Sequence, residues 1–356
     1  ADSVFTLSLP RPANYVFLYM IGFYILLMVL GVDPKIGIVG AVGFGLSSYF
    51  FIILEAGHNS KAHAIGYMAP VFAGILLAYR GKWLLGGVLT ALFLSLELYA
   101  NHPQITYYLF LFVLIYGIAE LTNAFRQKKI MDFVKASAVT GIAVMLALAT
   151  NITSLWATYD YGKYTTRGGT ELTIGESGKP NADDKTKKGL DPSYITSWSY
   201  GVDETMTLLI PNFKGGASEG IGNNKDALKK VDSQLREAVA NFPQYWGEQP
   251  FTSGPVYAGA VIVFLFVLGL LALQGYFKWA ILAGTILSVW LSWGKNDPFG
   301  FNDFFIHHFP MYNKFRTVSM ILVLAELLIP LLAVLVLDKI IKTPDFFKQP
   351  VKLPLM

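Results

Sequence analysis

Long apolar runs separated by short polar turns constrain the fold of this chain more than any other feature. Charged residues make up only 15% of the chain, whereas a typical soluble protein carries roughly 25%, and the mean hydropathy is +0.47. Each run can cross a hydrocarbon core of about 30 Å as a helix, which satisfies its own backbone hydrogen bonds. The sequence therefore predicts an all-α polytopic membrane protein with about nine transmembrane helices. The runs are 14–32, 36–54, 64–79, 83–100, 105–125, 133–152, 256–274, 279–293 and 317–341.

The basic residues predict the orientation of the bundle. The turn FRQKKIMDFVK carries Arg126, Lys128, Lys129 and Lys135, and such turns face the cytoplasm under the positive-inside rule. Alternation of the helices then places all five histidines in loops on the external side. The net charge of +4 is small and gives no indication of nucleic-acid binding. The chain has no cysteine, which excludes disulfides and thiolate metal sites.

The spacing of the apolar runs divides the chain into four parts. Residues 1–151 form a bundle of about six helices, 152–254 an external insert, 255–341 three further helices, and 342–356 a cytoplasmic tail or linker. The insert holds nearly half of the charged residues, and we expect it to be mostly helical. Within it, an amphipathic helix is predicted from 223 to 242, and the aromatic segment 198–212 is predicted to lie along the membrane surface.

The nine residues EAGHNSKAH, at 55–63, place several ionisable groups between two apolar runs. Glu55, His58 and Asn59 stand at i, i+3 and i+4, so they share a face if the helix continues through them. Oxygen and imidazole ligands there could hold a divalent ion, although this metal pattern is weak. The same residues could instead position a phosphate against His58 and Lys61. The alternative is a hydrated loop at the headgroup level.

A second polar cluster, LELYANHPQITYY, follows the next apolar run. Glu97 precedes Asn101 by one helical turn, so the two are predicted to share a face, and His102 follows them. Pro103 is placed to open the next helix. We expect the two clusters to line one cavity beneath the insert. The alternative is that Glu97 is a structural carboxylate bonded to a neighbouring helix.

Three further cations are candidates for phosphate contact. Lys314 and Arg316 end the last external loop, and Arg167 lies in the insert. The planar fork of an arginine suits bidentate contact with phosphate. The alternative is that these side chains only reach toward lipid headgroups. Glu326 lies within the last apolar run, where it pairs with another helix or serves a proton path.

Five segments in order resemble the YfhO-type bacterial membrane proteins: EAGHNSKAHAIGYMAP, NHPQITYY, TTRGG, WSYGVDETMTLLIPN and PMYNKFR. The resemblance covers nearly the whole chain. It implies a GT-C-type glycosyltransferase architecture in the bacterial cytoplasmic membrane, acting on a polyprenyl-phosphate sugar at the external face. Such enzymes carry a key acid in their first external loop. This chain begins beyond that loop, so we expect it to be the middle portion of a longer protein.

The sequence therefore predicts a protein that handles a lipid-linked sugar, with glycosyl transfer to an envelope acceptor. The implied partners are membrane lipids and the lipid-linked sugar, with a divalent metal ion as an optional cofactor at Glu55 and His58. The alternatives are a transporter or lipid flippase that uses Glu97 and Glu326, and a non-catalytic scaffold. The candidate catalytic residues are Glu55, His58, Glu97 and His102, and the candidate substrate-binding residues are Asn59, Lys61, Asn101, Arg167, Lys314 and Arg316.

Overall fold

A computed structural model describes residues 2–168 and 189–346. Helices dominate this part of the chain, because almost every long apolar run forms one. The first nine are α1 (Asp2–Phe5), α2 (Ala13–Leu30), α3 (Pro34–Gly45), α4 (Ser48–Glu55), α5 (Asn59–Tyr79), α6 (Trp83–Tyr99), α7 (Pro103–Gln127), α8 (Ile130–Thr150) and α9 (Ile152–Gly162). The remaining ones are α10 (Pro192–Ile195), α11 (Lys225–Lys229), α12 (Arg236–Ala240), α13 (Ala260–Ala272), α14 (Phe277–Ser292), α15 (Phe301–His308) and α16 (Leu322–Lys342).

The lengths and composition of these helices confirm the predicted class of helical membrane protein. Five helical segments are long and apolar enough to cross a bilayer: α2, α5, α7, α8 and the segment Val318–Lys342, which contains α16. The bent pair α3 and α4 makes a sixth if it is taken as one span, and α6, α13 and α14 are shorter apolar helices.

The second predicted span is not one continuous helix. It bends by 43° between α3 and α4, where the Ser47 hydroxyl donates a hydrogen bond of 2.5 Å to Oε2 of Glu326 in α16. The next hydroxyl, of Ser48, bonds the backbone of Pro255 and Tyr257, each at 2.8 Å. At the break, hydrogen bonds within the helix are replaced by hydrogen bonds to residues that are distant in sequence.

The helices α5 and α16 form the centre of the bundle and are buried along most of their length, whereas α8 is largely exposed. Helix α5 packs most closely against α6 and α2, and α16 packs against α13, α14 and α3. Small residues permit the closest approach: a Cβ at Gly86 would lie 2.4 Å from the backbone nitrogen of Ala78. Such contacts replace the hydrophobic effect as the force between helices in lipid.

The described part of the insert is less helical than predicted. Besides α9 to α12 and short 3-10 turns, it contains an antiparallel pair of strands, β1 (Gly215–Gly220) and β2 (Pro243–Tyr245). The predicted helix over 223–242 is broken into α11 and α12, although Asn224 caps α11 through the amide of Ala227 as expected. The apolar residues of the segment 223–242 stay partly exposed, because no large apolar surface of the described structure covers them. Leu235, for example, is 57% exposed. Residues 169–188 of the insert lie outside the described part of the chain.

The aromatic segment 198–212, which is predicted to lie along the membrane surface, packs partly against protein. Tyr200, Thr207 and Leu208 are buried. The preceding residues run along the loop between α14 and α16, and backbone hydrogen bonds join the two: Leu190 to Asn313, Thr317 to Ile195, Ser319 to Trp198, and Tyr200 to Ser292. The insert is thereby fastened to the end of α14 and to the loop between α14 and α16.

Candidate functional site

The first polar cluster is divided by a turn, so the prediction of one shared helical face for its residues is wrong. Helix α4 ends at Glu55 and α5 begins at Asn59, and Gly57 between them adopts the left-handed conformation with φ +73°, which a glycine adopts without steric cost. Glu55, His58 and Asn59 are all exposed. Among the described residues, no group of three or more His, Asp or Glu side chains could hold a metal ion.

Lys61 differs from its neighbours because it is buried, with 8% of its surface exposed. Its Nζ lies 5.8 Å from the centre of the Tyr49 ring. Within residues 2–168 and 189–346 no carboxylate lies within 4 Å of this ammonium. A buried cation without a counter-ion is unfavourable, so the burial of Lys61 calls for a functional explanation.

Two histidines lie in electrostatic range of Lys61 from two separate turns. His102, just before α7, is partly buried, and its Nδ1 has no hydrogen-bond partner in the described structure. Burial and the charges of Lys61 and His58 lower the pKa of His102 to about 4. Partial burial of its ring, together with Lys61 and Arg316, also lowers the pKa of His58. The His102 ring is therefore held neutral near pH 7.

Arg316 completes the group, which we name the basic cluster: His58, Lys61, His102 and Arg316. Its guanidinium donates a hydrogen bond to the Tyr194 hydroxyl and lies 5.6 Å from the centre of that ring. Its backbone oxygen accepts a 2.7 Å hydrogen bond from Gln104 of α7. The insert and α7 thus fix the position of an exposed arginine. Sequence reasoning missed Tyr194 and Gln104, because only tertiary contact gives them this role.

Arg167 and Lys314 also lie together, as neighbours of like charge. Nε of Arg167 donates to the backbone oxygen of Lys314 at 3.0 Å, and Nζ of Lys314 donates to the backbone oxygen of Arg167 at 2.5 Å. The structure therefore joins two predicted phosphate ligands from distant segments. Lys314 is two residues from Arg316 in the same loop.

The second polar cluster is also divided. Glu97 is fully buried, and neither carboxylate oxygen has a hydrogen-bond partner in the described structure; Thr106 is its polar neighbour. Asn101 is exposed and left-handed, with φ +58°, because α6 has already ended at Tyr99. The predicted shared face of Glu97 and Asn101 is therefore wrong, whereas Pro103 does open α7.

His63 has a partner in α1 that the sequence did not indicate. Its Nε2 lies 2.6 Å from Oδ1 of Asp2, which also accepts a 2.6 Å hydrogen bond from the Tyr67 hydroxyl. Burial alone would raise the pKa of Asp2, but the bonds from Tyr67 and His63 hold it below its usual value. His63 therefore docks α1 onto α5 and stands apart from the basic cluster.

Glu326 forms the interior polar contact of the bundle. Its side chain is fully buried; one oxygen accepts from Ser47, and the other has no partner among the described residues. Tyr49 lies in electrostatic range of Glu326 and contacts Lys61 with its ring. Polar groups thus extend from the basic cluster toward the bend between α3 and α4.

Comparison with protein-family models, with curated proteins and with solved structures found no match.

Proposed function

We propose that this protein binds a polyprenyl-phosphate-linked sugar at the external face of a bacterial cytoplasmic membrane and takes part in GT-C-type glycosyl transfer. The observation that carries the proposal is the buried side chain of Lys61, whose ammonium has no counter-ion in the described structure and lies beside three further basic side chains. An anion is the ligand that this arrangement lacks.

The electrostatics support an anionic ligand over a cationic or neutral one. A phosphate beside Lys61 would offset the cost of burying the ammonium. It would also favour the protonated forms of His58 and His102, because a nearby opposite charge raises a histidine pKa. Arg316, held by Tyr194, supplies the planar fork that suits phosphate oxygens.

The basic cluster suits one half of glycosyl transfer, which is stabilisation of the departing phosphate. The other half requires a base for the acceptor. Glu55 at the exposed end of α4 and the buried Glu97 are the carboxylates proposed for that role. A divalent ion would bind Glu55 and His58 only with the phosphate as a further ligand. In this proposal α6, α13 and α14 join the six longer spans, giving nine crossings.

Binding of polyprenyl phosphate to the purified protein in nanodiscs tests the proposal. We expect Lys61→Met to weaken binding about tenfold or more, since a charge-assisted hydrogen bond is lost. Lys35→Met is the matched control, because Lys35 is exposed at the other end of the bundle, and it should bind like the parent. Polyprenol without phosphate should not compete.

A second variant examines geometry at constant charge. Arg316→Lys should also weaken binding, because a point charge cannot replace a bidentate fork. Unchanged binding in both Lys61→Met and Arg316→Lys would refute a phosphate site at the basic cluster.

One observation favours transport or lipid flipping as the second candidate function. Glu326 is a buried carboxylate bonded to the bend of a broken span, and buried acids in membrane bundles commonly serve ion or substrate paths. Movement of a labelled lipid across vesicles that Glu326→Gln abolishes and Lys61→Met leaves unchanged would favour this candidate.

A further inference from the structure

Three turns meet at the end of the bundle opposite the basic cluster and enclose a cavity of about 520 Å³. They are the turn between α5 and α6, the turn between α7 and α8, and the turn between α13 and α14. The cavity therefore shares no residue with the site proposed above. It is independent of the proposed function.

The charged side chains that line this cavity balance one another. They are two cations, Arg80 and Lys129, and two anions, Glu120 and Asp132. No pair of them lies within ion-pair distance, as far as the described residues show. The cavity thus holds separated charges of both signs, which is the pattern that a zwitterionic ligand complements.

Glu120 is fixed in position on the wall of the cavity. Its Oε1 accepts hydrogen bonds from the hydroxyls of Tyr116 and Tyr276, the latter at 2.7 Å. Arg80 lies in electrostatic range of both tyrosines and donates a hydrogen bond to the backbone oxygen of Val29. One anion and one cation are therefore held on the cavity wall by the protein itself.

A groove of about 440 Å³ continues from the cavity along α7 and α14, and its lining is mostly apolar apart from polar residues near the cavity, Arg126 among them. Asn123, Gly275 and Tyr276 line both spaces. The groove is open at its sides, where Ile118 is 65% exposed and Trp279 47% exposed. A polar cavity at the helix ends that opens into an apolar groove matches the two halves of a membrane lipid.

We infer that this end of the bundle binds a glycerophospholipid whose headgroup carries a primary amine, such as phosphatidylethanolamine. The ammonium donates to Glu120 and Asp132, the phosphate meets Arg80 and Lys129, and one acyl chain lies in the groove. The carboxylates of Glu120 and Asp132 disfavour an anionic headgroup, because such a headgroup carries no cation to meet them. A choline headgroup has no N–H to donate to the carboxylates.

Native mass spectrometry of the purified full chain with dioleoyl lipids tests this assignment. We expect phosphatidylethanolamine to be retained about tenfold better than phosphatidylcholine or phosphatidylglycerol, since a charge-assisted hydrogen bond is worth that much. Glu120→Gln should remove the preference, because an amide still accepts from the tyrosines but carries no charge. Glu237→Gln, on exposed α12, is the matched control and should keep it.

A second variant examines the acyl chain. Ala119→Trp fills the groove from α7 and should lower retention of all three lipids, whereas Ala138→Trp on the exposed face of α8 should not. Thermal unfolding of each variant verifies its fold. Equal retention of the three lipids by the parent, a preference for phosphatidylglycerol, or a preference that survives Glu120→Gln would overturn the inference.

Discussion

A few charged side chains of this protein are buried, and their burial sets them apart from the other charged residues. Lys61 and Glu97 are both buried without an ion pair in the described structure, and Lys61 lies in electrostatic range of His58 and His102. Sequence reasoning identified all four residues of the basic cluster by type and by their place beside apolar runs. It could not identify Tyr49 or Tyr194, because their contacts with Lys61 and Arg316 depend on tertiary packing.

The pH dependence of stability should report the environment of His102. Its pKa is about 4 in the folded protein, whereas an unfolded histidine titrates near 6.5. The unfolded state therefore binds more protons between these values, so the free energy of unfolding should be constant above about pH 6.5 and fall toward pH 4. We expect a loss of about 1–2 kcal/mol, reduced by solvent screening.

Thermal unfolding in detergent between pH 4.5 and 8 measures this effect. His102→Asn should flatten the curve, and His307→Asn, which alters an exposed histidine, should leave it unchanged. Parallel curves for the parent and His102→Asn would show that His102 is as well hydrated in the folded state as in the unfolded one.

At the scale of helices, hydropathy predicted the existence and the ends of most spans to within a few residues, because apolar length decides what can cross a bilayer. The bend between α3 and α4 was not predictable. It depends on Ser47 and Glu326, which are 279 residues apart in sequence. The span was predicted to begin at residue 64, yet residues 59–63 form the first turn of α5, so the helix begins within the polar cluster rather than at its apolar run.

The contact of α5 with α6 should depend on Gly86. A methyl group there would lie 2.8 Å from the backbone oxygen of Gly74 and still closer to Ala78, and backbone atoms cannot move aside as a flexible side chain does. Gly86→Ala should therefore destabilise the protein by about 1–3 kcal/mol. A lower midpoint of thermal unfolding would record it.

Gly141→Ala in α8 is the matched control, because no atom lies within 4 Å of the added methyl group. It should leave the midpoint unchanged or raise it by the equivalent of about 0.5–1 kcal/mol. If the two variants unfold alike, α5 and α6 are not in the close contact described.

At the scale of the whole molecule, the two ends of the bundle carry different chemistry. One end carries the basic cluster and the described insert, and the other carries a cavity lined by charges of both signs. The division into bundle, insert and last helices followed from hydropathy. The structure of the insert did not, because its short polar segments are fixed by hydrogen bonds to the loop between α14 and α16 rather than by their own periodicity.

Labelling of single cysteines should show the histidines and the basic turns on opposite sides of the membrane. The parent has no cysteine, and His58, His307, Lys82 and Lys128 are all exposed. An impermeant maleimide added outside intact cells should label cysteine at 58 and 307. It should label 82 and 128 only after lysis. Labelling of 58 and 128 from one side would refute the topology.

The hydrogen bonds that join the insert to the end of α14 and to the loop between α14 and α16 have a consequence for biosynthesis. Residues 190–200 leave the ribosome before residues 292–319, which supply their hydrogen-bond partners, because chains are made from the amino terminus. The insert must therefore wait, with its backbone groups in water, until α14 and the loop that follows it have been made. A chain that stops after α13 would carry the whole insert and still lack the partner that orders it.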